Sequence, residues 1–316
     1  MFLRYVARRV AMSVPVLLAV IFITYGMAIF GPGDPVATMV GQTEQRNNQE
    51  LIARLRHQHG YDRSFVVQYV DYVGKLVRGD WGEGVSIQYQ GRSVRSLILQ
   101  ALPVSFQLGA VALLILFGVG VPLGVLAALK QNSWLDRVIV TFSILADSIP
   151  SFVLAPVLLV FLVLKTHLID SAIGWDGVFS QKIILPALIL ALSPMLLIVR
   201  QTRFAIIEVM QQEYVRTARA KGLGARAIVW RHVLKNALQP VITLAGLIAA
   251  YLLTGAIFIE QIFGIPGMGQ LIVQGLRRND LPLLMGTTIV GAAIVLISNL
   301  VVDVLYAVFD PRIRYG

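Results

Sequence analysis

The chain has 316 residues, of which 57% are hydrophobic and 14% charged, and it contains no cysteine. With a mean hydropathy of +0.74, against about 25% charged residues in soluble chains, it is excluded from the soluble globular class. Disulfide scaffolding and thiolate chemistry are excluded with it, and the formal net charge of +10 then asks for a membrane explanation.

The chain opens on a basic leader (Arg4, Arg8, Arg9) and an uncharged run, Val10–Phe30. A secretory leader has an apolar core of about 7–15 residues and a small-residue cleavage site. This run is longer and is followed by "GPGDPV", so it predicts a retained transmembrane helix. Crossing a bilayer takes about 20 apolar residues in a helix. Further runs of that character are Pro103–Leu129, Val138–Leu164 (apolar except at Asp147), the shorter Ile183–Val199, Val241–Ile259 and Leu283–Val302. The expectation is an all-α membrane protein of six transmembrane helices. Residues 1–34 would form the leader and first span, 35–102 a small helical extracytoplasmic insertion, and 103–316 a five-helix core. Within the insertion, Leu51, Ile52 and Leu55 share a helical face. Phe65, Val66, Tyr69, Tyr72, Val73 and Leu76 recur at helical spacing, the pattern of a packed stripe.

The short loops orient the chain. With the N-terminus inside, the leader, Lys130 and Arg137, the segment 213–240, and Arg312 and Arg314 all face the cytoplasm. The net charge is then topology plus attraction to anionic membrane lipid. The basic residues flank spans and lack interleaved aromatics, so nucleic-acid binding is not expected.

Residues 213–240 read "EYVRTARAKGLGARAIVWRHVLKNALQP", with six Lys or Arg and one acid between Glu213 and Ala237. Gly222 and Gly224 interrupt a helix, since glycine costs about 1 kcal/mol there and turns readily. Pro240 is expected to stop the second half and open the next span. At 100° per residue, Val229, Trp230, Val233, Leu234 and Ala237 fall within roughly 140° of arc. Two readings fit this helix–turn–amphipathic-helix pattern: a basic helix resting on head groups, or a docking element offering an apolar ridge to a soluble partner.

The stretch Glu213-Tyr214-Val215-Arg216-Thr217-Ala218-Arg219-Ala220-Lys221-Gly222-Leu223-Gly224, followed by Asn236-Ala237-Leu238-Gln239-Pro240, resembles the cytoplasmic "EAA" loop of ABC importer membrane subunits, in its peptide-importer form. "RYVARRV" with "GPGDPV" resembles the start of the first permease subunit of dipeptide, oligopeptide and nickel importers. "QNSWLDR" (131–137) keeps the later part of that family's "GSWLDR". "DSIPSF" (147–152), "FGIPGMGQL" (263–271) and "DVLYAVFDPRIRYG" (303–316) also resemble family segments. The resemblance implies the type I importer permease fold. It also implies a multi-pass subunit of the bacterial cytoplasmic membrane, with both termini inside. Its partners would be a second homologous permease, two ABC ATPases and an extracytoplasmic substrate-binding protein. The cargo would be di- or oligopeptides, with nickel or another small chelate as the alternative. Glu213, Arg216, Ala218, Lys221, Gly222, Gly224, Val229, Val233 and Pro240 would form the ATPase-coupling loop.

The chain lacks G-x-x-x-x-G-K-[ST], the loop that cradles phosphates. ATP and Mg²⁺ are therefore expected on partner subunits, no cofactor on this one, and no catalytic residue. His57-x-His59 is read as a solvated helix face rather than a metal site, and no Ser, His and carboxylate set suggests a hydrolase. An ion-coupled secondary transporter is the reading from another class, weakened by the lack of an internal repeat.

Asp147 is costly inside a span, about 2.5–3.5 kcal/mol on insertion scales, so it must face protein or water. It either bonds to a neighbouring helix or lines the translocation path with Ser148 and Ser151. Glu260, Asn299 and Asp303 sit near span ends, where interfacial placement is expected. The segment Phe263–Pro282 is either a plain outside turn or a short re-entrant segment. In the second case Gly264, Pro266, Gly267 and Gly269 form an outer-mouth loop.

Overall fold

A computed structural model describes residues 2–31, 50, 53–54, 56–57, 60–86, 88–169, 171–253 and 256–309. The "GPGDPV" segment beyond Gly31, the Leu51, Ile52 and Leu55 stripe, and the C-terminal segment from Asp310 lie outside them. Regular structure among the described residues is helical, apart from two isolated β-bridges, Glu83 with Ser93 and Gly84 with Gln90.

In chain order the helices are α1 (Phe2–Phe30), α2 (Phe65–Val77), α3 (Val94–Ile115), α4 (Val121–Leu129), α5 (Trp134–Asp147), α6 (Ser151–Leu159) and α7 (Ile184–Met210). They continue with α8 (Glu213–Ala220), α9 (Ala225–Ile228), α10 (Leu234–Leu253), α11 (Ile257–Phe263), α12 (Met268–Arg277) and α13 (Leu281–Phe309). Three π-helical turns, Leu116–Gly120, Val160–Lys165 and Val229–Val233, join α3 to α4, extend α6, and join α9 to α10.

Four stretches among the described residues are long and apolar enough to cross a membrane: Val6–Phe30, Val94–Leu129, Gln181–Met210 and Leu281–Val301. The pair Trp134–Asp147 and Ser151–Lys165 makes a fifth if it is counted as one span, and it is bent by 96°. The expected single helix over Val241–Ile259 is not formed. The described part of α10 ends at Leu253, and Ala256 sits at φ −88°, ψ 80°, outside the α region, before α11 begins. The expected run Val138–Leu164 is likewise two helices, because Pro150 takes an extended conformation (φ −59°, ψ 138°) between them.

The chain folds as two compact units. The first comprises residues 1–2, 106–265 and 297–316, and α7 packs there against α4, α5 and α10. The α4 seam is made by glycine. A Cβ on Gly124 would lie 2.6 Å from Thr202 Cβ and 2.7 Å from the Val199 carbonyl, and one on Gly120 would lie 3.1 Å from Met195. Small residues four apart let two backbones approach in this way. The α5 start is set by Ser133, whose hydroxyl accepts from Asp136 N, while Asn132 N donates to Asp136 Oδ2 at 2.9 Å, a reciprocal cap. Asn132 has φ +64°, a left-handed position that Asn tolerates.

The second unit comprises residues 3–105 and 266–296. The aromatic stripe of α2 packs on α1: Phe65 and Tyr69 each stand edge-on to Phe22 at 5.2 Å, and Tyr69 donates to the Leu18 carbonyl. Burial pushes the Tyr72 and Tyr89 phenols up. Asp280, fully buried, caps α13 through Leu283 N and holds the 85–86 loop by accepting from Val85 N and Ser86 N. A cavity of about 970 Å³ in this unit is lined by Tyr25, Gln68, Asp71, Tyr72, Lys75 and Trp81 among others.

Candidate functional site

The polar segment after α7 is a folded element, anchored by its own apolar side chains. Val215, Ala218, Ile228, Val233 and Ala237 join Ala205 and Ile206 of α7 and Ala128 of α4 in one buried cluster. Glu213 begins α8 and pairs with Arg216 at 2.9 Å on the exposed side. Asn236 Nδ2 donates to Tyr214 Oη at 2.8 Å, bracing α8 against α10. Lys221 caps α8, Gly222 turns the chain at φ +77°, and the exposed Gly224 precedes α9. The glycine turn expected from sequence is formed.

Two expectations for this segment are corrected. Val229 and Val233 are not an exposed ridge, for both are buried, Val233 at 0% exposure. They lie in the π-helical turn Val229–Val233, where i→i+5 bonding displaces the 100° spacing on which the ridge was counted. Trp230 (65%), Leu223 (42%) and Tyr214 (42%) are the large apolar side chains left exposed, beside Arg216, Arg219 and Lys221. Pro240 does not stop a helix, since α10 runs through it. Proline removes one bond of the ladder, and a membrane helix tolerates this where neighbours re-satisfy the freed group.

The second cluster lies where α5 ends. Asp147 accepts from Arg200 Nη2 at 2.7 Å and Ser193 Oγ at 2.5 Å, and Arg200 Nη1 donates to the Ser143 carbonyl at 3.0 Å. Arg200 thus lies against the last turns of α5, where a cation is favoured. Asp136 is held by Arg203 through both oxygens, at 2.6 and 2.8 Å. Ser148 Oγ donates instead to the Ile144 carbonyl, and Ser151 starts α6.

Gly264 caps α11 at φ +65° and Ile265 N donates to the Glu260 carbonyl. Glu260 is fully buried, against the interfacial placement expected, while Asn299 is exposed and the Asp303 side chain lies outside the description. Pro266 is exposed. Gly267, extended, precedes α12, in whose first turn Gly269 is buried, and Met268 N donates to Ser105 Oγ at 2.8 Å. The segment Phe263–Pro282 is therefore more than a plain turn: it carries a ten-residue helix.

Residues 120–315 match the family described as "Binding-protein-dependent transport system inner membrane component", and residues 2–109 match the corresponding N-terminal family. The chain belongs to this permease family.

The permease is 38% identical over 313 residues to the oligopeptide transport system permease protein OppB of Salmonella typhimurium, covering 99% of this chain and 100% of that one. It is 36% identical over 312 residues to the dipeptide transport system permease protein DppB of Bacillus subtilis, covering 98% of each. Among solved structures it shares the fold of a chain of the MetNI methionine ABC transporter in an inward-facing conformation. That match has a TM-score of 0.57 at 20% identity, over 68% of this chain and 97% of that one. It is thus a multi-pass helical membrane component of binding-protein-dependent transport.

Sequence reading of the permease missed Arg200 and Arg203 because the predicted span was closed at Val199, where charge begins. The signal was available. An acid inside an apolar run needs a cation, and these are the first two after the next span.

Proposed function

We propose that this permease forms half of the translocation path of an ATP-driven importer of di- or oligopeptides. It would work with a second homologous permease, two ABC ATPase subunits that bind ATP and Mg²⁺, and an extracytoplasmic binding protein. Both termini face the cytoplasm, and the basic flanks of the spans meet anionic lipid, about 1 kcal/mol for each Lys or Arg near the surface. The near full-length similarity to OppB and DppB supports the cargo class.

The observation that carries the ATPase reading is the exposed face of Tyr214, Leu223 and Trp230 on an element anchored by its opposite side. Buried tryptophan anchors commonly contribute 2 kcal/mol or more to an interface, about thirtyfold in affinity. When the ATPases close on ATP, the docked segment moves with them and the attached spans alternate between inward- and outward-open forms. The peptide biases those forms only through its differential affinity for them.

Trp230→Asp is expected to leave the permease inserted and folded, because Trp230 is exposed, yet to lower ATPase recovery per permease by about tenfold or more. Gly222→Val is expected to act in the same direction. No atom lies within 4 Å of an added Cβ there, so its cost is the left-handed backbone alone, on the order of 1–3 kcal/mol. Wild-type recovery in both variants would show that the segment does not dock ATPases. Orientation is tested separately in the cysteine-free chain. A single cysteine replacing Lys221 should be labelled from the cytoplasmic side of sealed vesicles and one replacing Arg92 from the other; labelling of both from one side refutes the arrangement.

A further inference from the structure

We infer that Arg203 and Arg200 are unequal positioning residues for transport. Arg203–Asp136 acts as a fixed pivot between α7 and α5, and Arg200–Asp147 as a releasable latch. Through the latch, movement of the 213–240 segment changes the bend between α5 and α6. The inference rests on the ATP-driven reading above.

The two pairs join the same two helices but differ in kind. Arg203 meets Asp136 through Nε and Nη2, one to each carboxylate oxygen, and Asn132 N adds a third bond. The Asp136 side chain is 4% exposed. Parting this pair leaves a buried carboxylate with the Asn132 N–H but no cation to counter its charge, which is strongly unfavourable. Arg200 meets Asp147 through one nitrogen only, and their side chains are 28% and 32% exposed. Both groups are reachable by water when that contact opens, and a short slide that breaks the ion pair can leave Asp147 on the Ser193 hydroxyl and Arg200 on the Ser143 carbonyl, which cross the same seam. The weaker pair is thus the one built to part.

Position gives the asymmetry a use. Asp136 and Asp147 are eleven residues apart on α5, about three turns and nearly the same face. The pivot stands at the α5 start, and the latch at its last residue, where the chain bends by 96° into α6. Both arginines lie on α7, which ends at Met210, three residues before α8 begins at Glu213. Val215 and Ala218 of α8 pack with Ala205 and Ile206 of α7. A displacement of the docked segment therefore reaches α7 directly. With the Arg203 end fixed, it is taken up at the Arg200 end, beside the break.

The test uses the complete transporter with its ATPases and binding protein in proteoliposomes, comparing wild type, Arg200→Gln, Asp147→Asn and the charge exchange Asp147→Arg with Arg200→Asp. Each single change is expected to keep ATPase recovery per permease and ATP turnover while lowering peptide uptake per ATP at least about fivefold. The exchange is expected to restore coupling to within about twofold of wild type. A second measurement places cysteines at both latch positions of this cysteine-free chain. A bifunctional thiol reagent of about the length of the ion pair should abolish uptake while hydrolysis continues, and a cleavable reagent should return it on reduction.

Uptake that merely follows the amount of assembled complex in all variants, or cross-linked transporter that still imports, overturns the latch. Failure of the wild-type complex to couple ATP to uptake would instead refute the importer reading, so the two failures are distinguishable.

Discussion

Gly124→Leu is expected to abolish the folded permease rather than impair it. The position lies on α4 against α7, where a β-carbon would sit 2.6 Å from Thr202 Cβ, 2.7 Å from the Val199 carbonyl and 3.0 Å from Thr202 Cγ2. The first two are a side-chain branch point and a backbone oxygen, which cannot swing aside as the end of a flexible side chain can. Alanine alone should cost about 1–3 kcal/mol by overpacking, and leucine adds three more carbons at the same place. The seam it would open belongs to α7, against which α4, α5 and α10 pack. Gly118 is the control. It lies in the π turn just before α4, with nothing within 4 Å of an added Cβ, so Gly118→Ala should be neutral or gain up to about 1 kcal/mol from reduced backbone freedom. Yield of monodisperse protein in mild detergent and the midpoint of thermal unfolding measure both. Wild-type yield and midpoint for Gly124→Leu would mean that the α4–α7 contact is not as close as described.

Val233→Asp is expected to remove the permease from the membrane fraction, a different outcome from Trp230→Asp three residues away. Val233 is fully buried among Val215, Ile228 and Ala237. The substitution loses the apolar transfer of the valine and places a carboxylate where no partner is positioned for it, several kcal/mol in effective penalty. Against a typical total stability of about 5–15 kcal/mol, that is decisive. Trp230 is 65% exposed, so an acid there is solvated and the fold survives, with the damage confined to docking. Val233→Leu and Trp230→Phe should each sit near wild type in expression. The measurement is permease recovered per membrane mass, followed by ATPase recovered per permease. A Val233→Asp protein that is well folded but ATPase-free would return this residue to the docking face.

The corrected docking face shows where sequence periodicity stops being sufficient. Counting at 100° put Val229, Trp230, Val233, Leu234 and Ala237 on one ridge, and Val229, Val233 and Ala237 do share a fate, buried in one unit. The count could not reveal which way the ridge faces. An amphipathic helix beside a membrane core can turn its apolar side to a partner or to its own protein, and the residues are the same in both cases. The π turn over Val229–Val233 then moved Trp230 out of phase with its neighbours. Gly222 was legible without that help, because a glycine between two helical patterns needs only local backbone freedom, and φ +77° follows.

What the sequence determined by itself was whatever depends on neighbours in the chain. The greasy runs Val10–Phe30 and Leu283–Val302, the glycine turn at 222 and the motif order that marks the family are all local properties. Solvent transfer and backbone sterics fix them one segment at a time. What only the tertiary structure decided depends on residues far apart. Arg200 lies 53 positions from Asp147 and Arg203 lies 67 from Asp136, while Gly124 meets Thr202 on another helix. The break between α5 and α6 belongs to the same class, since Pro150 permits a bend and Arg200, bonded to Ser143 and Asp147, ties the end of α5 to α7. Charge pairing and close packing are set by the three-dimensional position of both partners, and a chain read one residue after another supplies only one of them at a time.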